Sequence, residues 1–168
     1  MGKFDSRRGF LKAAPMAAVA GMSLADAPMF AIEAAPEPYR VFAAETLAED
    51  ERALKAKPGN NNLFESKTLP FAVVMTTEEK KAAKEFEWHE GRDHILQVID
   101  GTTVYELGGT PQNGRKTRPG EWLAPESAGS KTVTLRKGDM LVIPRGTPHK
   151  RSTAESVTFY LISPSGVV

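Results

Sequence analysis

The pattern of apolar and polar positions changes character near residue 60. Beyond it, short runs rich in β-branched and aromatic residues alternate with clusters of Gly, Pro, Asn and charge. That spacing predicts strands joined by turns. Leu63 to Glu65 and Leu69 to Thr76 have strand composition, and the charged stretch Thr77 to Lys84 is expected to leave the sheet as a loop or helical turn. Phe86 to Glu90 alternates with period two, which places Glu87 and His89 on one face and Phe86, Trp88 and Glu90 on the other. Ile95 to Ile99 and Thr102 to Leu107 are expected to form a hairpin about Asp100-Gly101, a strong turn pair. Gly108 to Ser130 is rich in Gly, Pro and charge and is expected to be a long surface excursion. Lys131 to Arg136, Met140 to Ile143, His149 to Thr153 and Val157 to Ile162 complete the set. Eight or so short strands without interior helices predict an all-β fold, a small barrel or jelly roll.

Ahead of this region, Ala44 to Lys57 has helix-forming composition and stops at Pro58-Gly59. Its few apolar positions suit a short peripheral helix, and Asn60 to Asn62 reads as a turn. Residues 26 to 43 are Ala- and Pro-rich, with Pro28, Pro36 and Pro38, and read as a linker. The expected layout is therefore 1–25, 26–59 as linker and helix, and 60–168 as the barrel.

Residues 1–25 read as an address. Ser6-Arg7-Arg8-Gly9-Phe10-Leu11-Lys12 resembles a bacterial twin-arginine export signal. The Ala-rich run from Ala13 to Ala25 is too short to span a bilayer comfortably. Ser23-Leu24-Ala25 offers small residues for cleavage before Asp26. These features imply handling by the twin-arginine export machinery, a periplasmic or otherwise exported location, and no stable membrane span in the mature chain.

Composition narrows the function classes. With 168 residues and 40% hydrophobic positions, one modest core is expected. The formal charge is +1, and Lys3, Arg7, Arg8 and Lys12 all lie in the leader, so no electrostatic case exists for nucleic acid. The absence of cysteine removes disulfides, thiolate catalysis and Cys-type zinc sites. No phosphate-binding glycine loop precedes a helix.

The chemistry lies in the histidines. There are three, His89, His94 and His149, confined to the segments 87–101 and 138–149. Glu87-x-His89 is followed after four residues by His94 and after six more by Gly101. In the second segment Gly138, Pro144, Gly146 and His149 stand five, one and two residues apart.

These frames resemble the two cupin motifs, and the resemblance in strand order extends over 60–168. The first motif ordinarily holds two histidines one residue apart, then a glutamate and a glycine. Here Glu87 stands at the first histidine position and His94 at the glutamate position, so the set is still three imidazoles and one carboxylate. Thr153 stands where the second motif often has asparagine. The resemblance implies one divalent metal, Fe, Mn, Ni, Zn or Cu, held by Glu87, His89, His94 and His149, with Glu90 or Asp93 as other carboxylates if the strand is bulged. Strand parity sends Arg151 inward, where it would suit a substrate carboxylate, and Tyr105 and Gln97 are further pocket candidates. Trp88 faces away from the ligands by parity, and Trp122 is a candidate cap for the pocket mouth. The resemblance implies either a metal-dependent enzyme (dioxygenase, isomerase or lyase) acting on a small organic molecule, or a non-catalytic small-molecule or metal-binding module. It also makes a homodimer a reasonable expectation. Export in the folded state fits such a site, since a metal installed before export escapes competition from tighter-binding ions outside.

Overall fold

The computed structural model describes residues 38–166; the expected export signal over 1–25 and most of the linker lie outside the described residues. All elements below belong to one unit that begins at Val41. Among the described residues there is one helix, α1 (Ala44–Ala56), and eleven strands. The strands are β1 (Gly59–Glu65), β2 (Phe71–Ala82), β3 (Phe86–His89), β4 (His94–Leu107), β5 (Thr110–Gln112), β6 (Arg115–Arg118), β7 (Glu121–Ala124), β8 (Glu126–Ala128), β9 (Lys131–Arg136), β10 (Met140–Ile143) and β11 (His149–Pro164). The fold is the expected all-β jelly roll with a short N-terminal helix. No helix of the described residues is long and apolar enough to cross a membrane.

Every pairing is antiparallel. One sheet path runs β1-β2-β11-β3-β7-β6, and β4 joins β11, β9 and β10. The sixteen-residue β11 is the spine, since it pairs β2 and β3 along one edge and β4 along the other. The core lies between the layers and is built from Leu96, Val98, Tyr105, Leu135, Ile143, Val157 and Phe159. Burial of such side chains contributes about 1.5–3 kcal/mol each. The helix is peripheral: it buries Leu54 and ties Lys55 to Asp100 at 2.6 Å.

Three sequence expectations are corrected. The hairpin about Asp100-Gly101 does not form, and β4 runs unbroken through that pair. The partners there are on β11, where Val157 faces Gly101 and Thr158 faces Asp100, and the register slips before Phe159 meets Val98. Ile99 is the extra residue of a bulge. The bulge also switches parity, so Leu96 and Val98 point to the core before it and Thr103 and Tyr105 after it. Gly101 takes φ 79°, and a Cβ there would collide with the Ser156 carbonyl. Asp-Gly therefore serves a close crossing of two backbones, not a turn.

The charged stretch 77–84 is mostly strand, because β2 continues to Ala82 with β11 alongside it. Thr76, Thr77 and Glu78 are buried there. Local charge suggested solvent, but Glu78 has an arginine partner across the sheet. Finally, 108–130 is not a featureless excursion. It contains β5 to β8, and β7 lies directly against β3.

Candidate metal centre

The two histidine segments are stitched together by backbone and salt-bridge contacts. After β3 the chain turns through Gly91 to Asp93 and re-enters the sheet at His94. Asp93 accepts hydrogen bonds from the Arg145 backbone N–H at 2.7 Å and from its guanidinium at 2.6 Å. Gly146 N–H donates to the His89 carbonyl at 2.7 Å, and Thr147 N–H to the Pro144 carbonyl at 3.1 Å. Gly146 adopts φ 78°, which only glycine takes without strain. This turn delivers His149 to the start of β11, where it pairs with Glu87 on β3.

The result is a compact cluster of three imidazoles. Ring centroids of His89, His94 and His149 lie 4.9, 5.5 and 5.4 Å apart. One nitrogen from each falls within 4.8 Å of the others. All three Nδ1 atoms have partners behind the cluster. His149 Nδ1 donates to the Thr147 carbonyl at 2.9 Å. His94 Nδ1 lies 3.1 Å from Ser163 Oγ, and His89 Nδ1 2.6 Å from Glu121 Oε2. Arg92 also approaches His89 Nδ1, at 2.9 Å, but one ring nitrogen cannot donate to a carboxylate and accept from a guanidinium together. The shorter carboxylate contact assigns the proton to Nδ1, and Arg92 donates to Glu121 at 3.2 Å. Holding Nδ1 from outside fixes ring orientation and tautomer and leaves the lone pair on Nε2, the usual support of a metal-binding histidine; at His89 the Arg92 guanidinium lies 3.3 Å from that nitrogen.

Electrostatics favour the form a metal requires. His89 and His149 are buried. Burial and the neighbouring imidazoles push His94 down to about 3, and burial with Arg92 lowers His89. Both rings are therefore neutral at pH 7. Glu87, half-exposed beside the cluster, is held down to about 2, chiefly by its interaction with His149. Its Oε1 lies 3.6 Å from His149 Nε2, on the side left free by the Thr147 contact. Three clustered imidazoles with an ionised carboxylate beside them fit a divalent ion in donor type. His89, His94 and His149 are the residues that would hold it; the carboxylate expected from Glu87 lies beside this group and is not one of its converging donors.

The cluster opens on a cavity of about 530 Å³ lined by all four of these residues. Of the other residues singled out from sequence, Tyr105 and Arg151 line the same cavity. Gln97 does not. It sits on the opposite face of β4 from His94 and Leu96, exposed, and is no pocket residue. Arg151 is not free for a ligand carboxylate, because Glu78 clamps it through Nε at 2.9 Å and through a second, short contact. Glu90 accepts from Trp122 Nε1 at 2.8 Å and Asp93 is taken by Arg145, so neither supplies the carboxylate. Trp122 does not cap the mouth; it stacks on Trp88, rings 5.6 Å apart and 10° from parallel.

Glu121, Arg92 and Glu78 were missed. Glu121 lay in an apparent loop, and only the pairing of β7 with β3 sets it opposite His89. Arg92, whose buried Nε finds no partner among the described residues, and Glu78 sat in charged runs that carry no sign of burial.

The family model described as Cupin matches residues 47–165. No curated protein matches. Among solved structures, a cupin-2 domain containing protein from Shewanella frigidimarina is 19% identical, with 70% of this chain and 91% of that chain covered and a TM-score of 0.48. A cupin protein from Bacteroides fragilis is 14% identical, covering 65% and 78%, with a TM-score of 0.46. A cupin-like protein from Thermotoga maritima is 19% identical, covering 64% and 68%, with a TM-score of 0.45.

Proposed function

The chain belongs to the cupin family, and from that premise we propose that it is an exported, metal-dependent enzyme acting on a small organic molecule. The observation that carries this reading is the opening of three convergent imidazoles onto a cavity of about 530 Å³. A purely structural metal site is closed, whereas a catalytic one keeps room beside the ion. A cavity of that size suits a small organic molecule. When bound, a divalent ion supplies Lewis acidity or a site for dioxygen.

The remaining residues divide the work around that site. Glu121, Ser163 and the Thr147 carbonyl orient the imidazoles. Leu96, Leu123 and Leu161 give the cavity an apolar wall, and Glu87 places an ionised carboxylate at its edge. Export rests on the twin-arginine leader at Arg7-Arg8. The test is turnover: metal-replete protein screened against small carbonyl, carboxylate and phenolic compounds, with dioxygen consumption and product release recorded. The reading expects turnover that disappears in His149→Ala. Full metal occupancy with no turnover across the panel would favour a non-catalytic binding module instead.

A further inference from the structure

The same cavity holds a second group of side chains that metal binding does not use. Glu78, buried on β2, clamps Arg151 of β11 through two contacts. Arg151 lies over the Phe159 ring at 4.6 Å and donates through NH1 to the Tyr105 hydroxyl at 2.8 Å. Tyr105 is 2% exposed and lines the cavity together with Arg151 and Glu78.

This chain of contacts has a direction. Glu78 fixes the guanidinium, and the guanidinium fills the acceptor side of the phenol oxygen. The phenol proton is left, and among the described residues it meets no acceptor. Burial raises the Tyr105 pKa, so the proton stays on the oxygen at neutral pH. A buried hydroxyl that can donate but has nothing to donate to is costly unless a ligand supplies the acceptor. Of the cations in the lining, Lys81, Arg92, Lys150 and Arg151 are paired with carboxylates, and Lys84 has no ion-pair partner among the described residues. The apolar patch of the lining comes from Leu96, Leu123 and Leu161.

We propose that Tyr105 donates its hydroxyl proton in a hydrogen bond to an oxygen of the cavity's ligand, and that this ligand is a small carboxylate with an apolar body. Arg151 and Glu78 are positioning residues that hold the phenol. The inference deepens the enzyme reading and rests on it for the placement of the ligand beside the histidines.

Benzoate is a suitable probe, and benzyl alcohol its neutral counterpart. Calorimetric titration of the full-length protein, with metal content measured on the same samples, separates this inference from the metal reading. Wild-type protein is expected to bind benzoate at least about tenfold more tightly than benzyl alcohol. Tyr105→Phe is expected to weaken benzoate about 10- to 100-fold, the worth of one hydrogen bond to a charged acceptor. Its metal content and thermal midpoint should stay near wild type. Glu78→Gln, which leaves the phenol in place but loosens Arg151, is expected to give a smaller loss. Absence of benzoate binding in metal-replete wild type, or equal affinity in Tyr105→Phe, would overturn the proposal while leaving the metal site standing. Failure of wild type to take up metal would instead strike the enzyme reading.

Discussion

His89 and Glu121 face each other across the β3–β7 pair, with ring Nδ1 2.6 Å from the carboxylate. The contact decides which nitrogen of His89 is available, because a proton donated to Glu121 from Nδ1 leaves Nε2 as the lone-pair donor. Removing the charge of Glu121 should release that constraint. We expect Glu121→Gln to lower metal affinity by about 10- to 100-fold, the usual effect of removing such a partner. Competition titration with a chromophoric chelator reads this directly. Unchanged affinity would mean that the carboxylate serves Arg92 alone.

Acid should unfold the metal-free protein through the same cluster. The folded state holds His94 at about 3, against 6.5 for an unperturbed histidine. Between those values the unfolded chain carries a proton that the folded chain lacks, so stability falls as pH is lowered through the window. Glu87, about 2 against 4.5, adds a loss of the same sign at lower pH. The urea midpoint should therefore drop steadily below pH 6.5, and His94→Gln should flatten the upper part of the slope. A midpoint unchanged between pH 6.5 and 5 would contradict the burial of a neutral His94.

Gly101 gives a test of the fold itself. Its φ of 79° and the neighbouring Ser156 carbonyl leave no space for a methyl group. Gly101→Ala should destabilise by about 2 kcal/mol or more, since backbone strain and a clash add. Denaturant unfolding measures it. A neutral substitution would return Asp100-Gly101 to an open turn.

Export is testable without any structure of the leader. Arg7→Lys with Arg8→Lys should hold the protein in the cytoplasm, judged by cell fractionation against the native sequence. Undiminished export of the double variant would remove the twin-arginine reading.

Much of this was legible in the sequence, and the failures have physical causes. His89, His94 and His149 stood out because histidine is rare in the chain and its spacing matched two known frames. The strand pattern carried the fold class because period-two burial is a local property. Pairing is not local. Asp100-Gly101 looked like a hairpin turn since the same residue types serve any position with positive φ, and only β11 on the other side shows which use applies. Glu78 and Glu121 looked solvated because a buried carboxylate differs from an exposed one only by its partner, and Arg151 and His89 are distant in sequence. Gln97 was placed in the pocket although its own strand parity set it opposite His94, an error that alternation alone would have avoided.

The most direct test of the central claim is elemental analysis of the purified protein beside His94→Ala and His149→Ala. We expect one equivalent of a divalent metal in the native protein and its loss in both variants, with the fold retained by circular dichroism. Native protein that carries no metal and takes none up on addition would contradict the account.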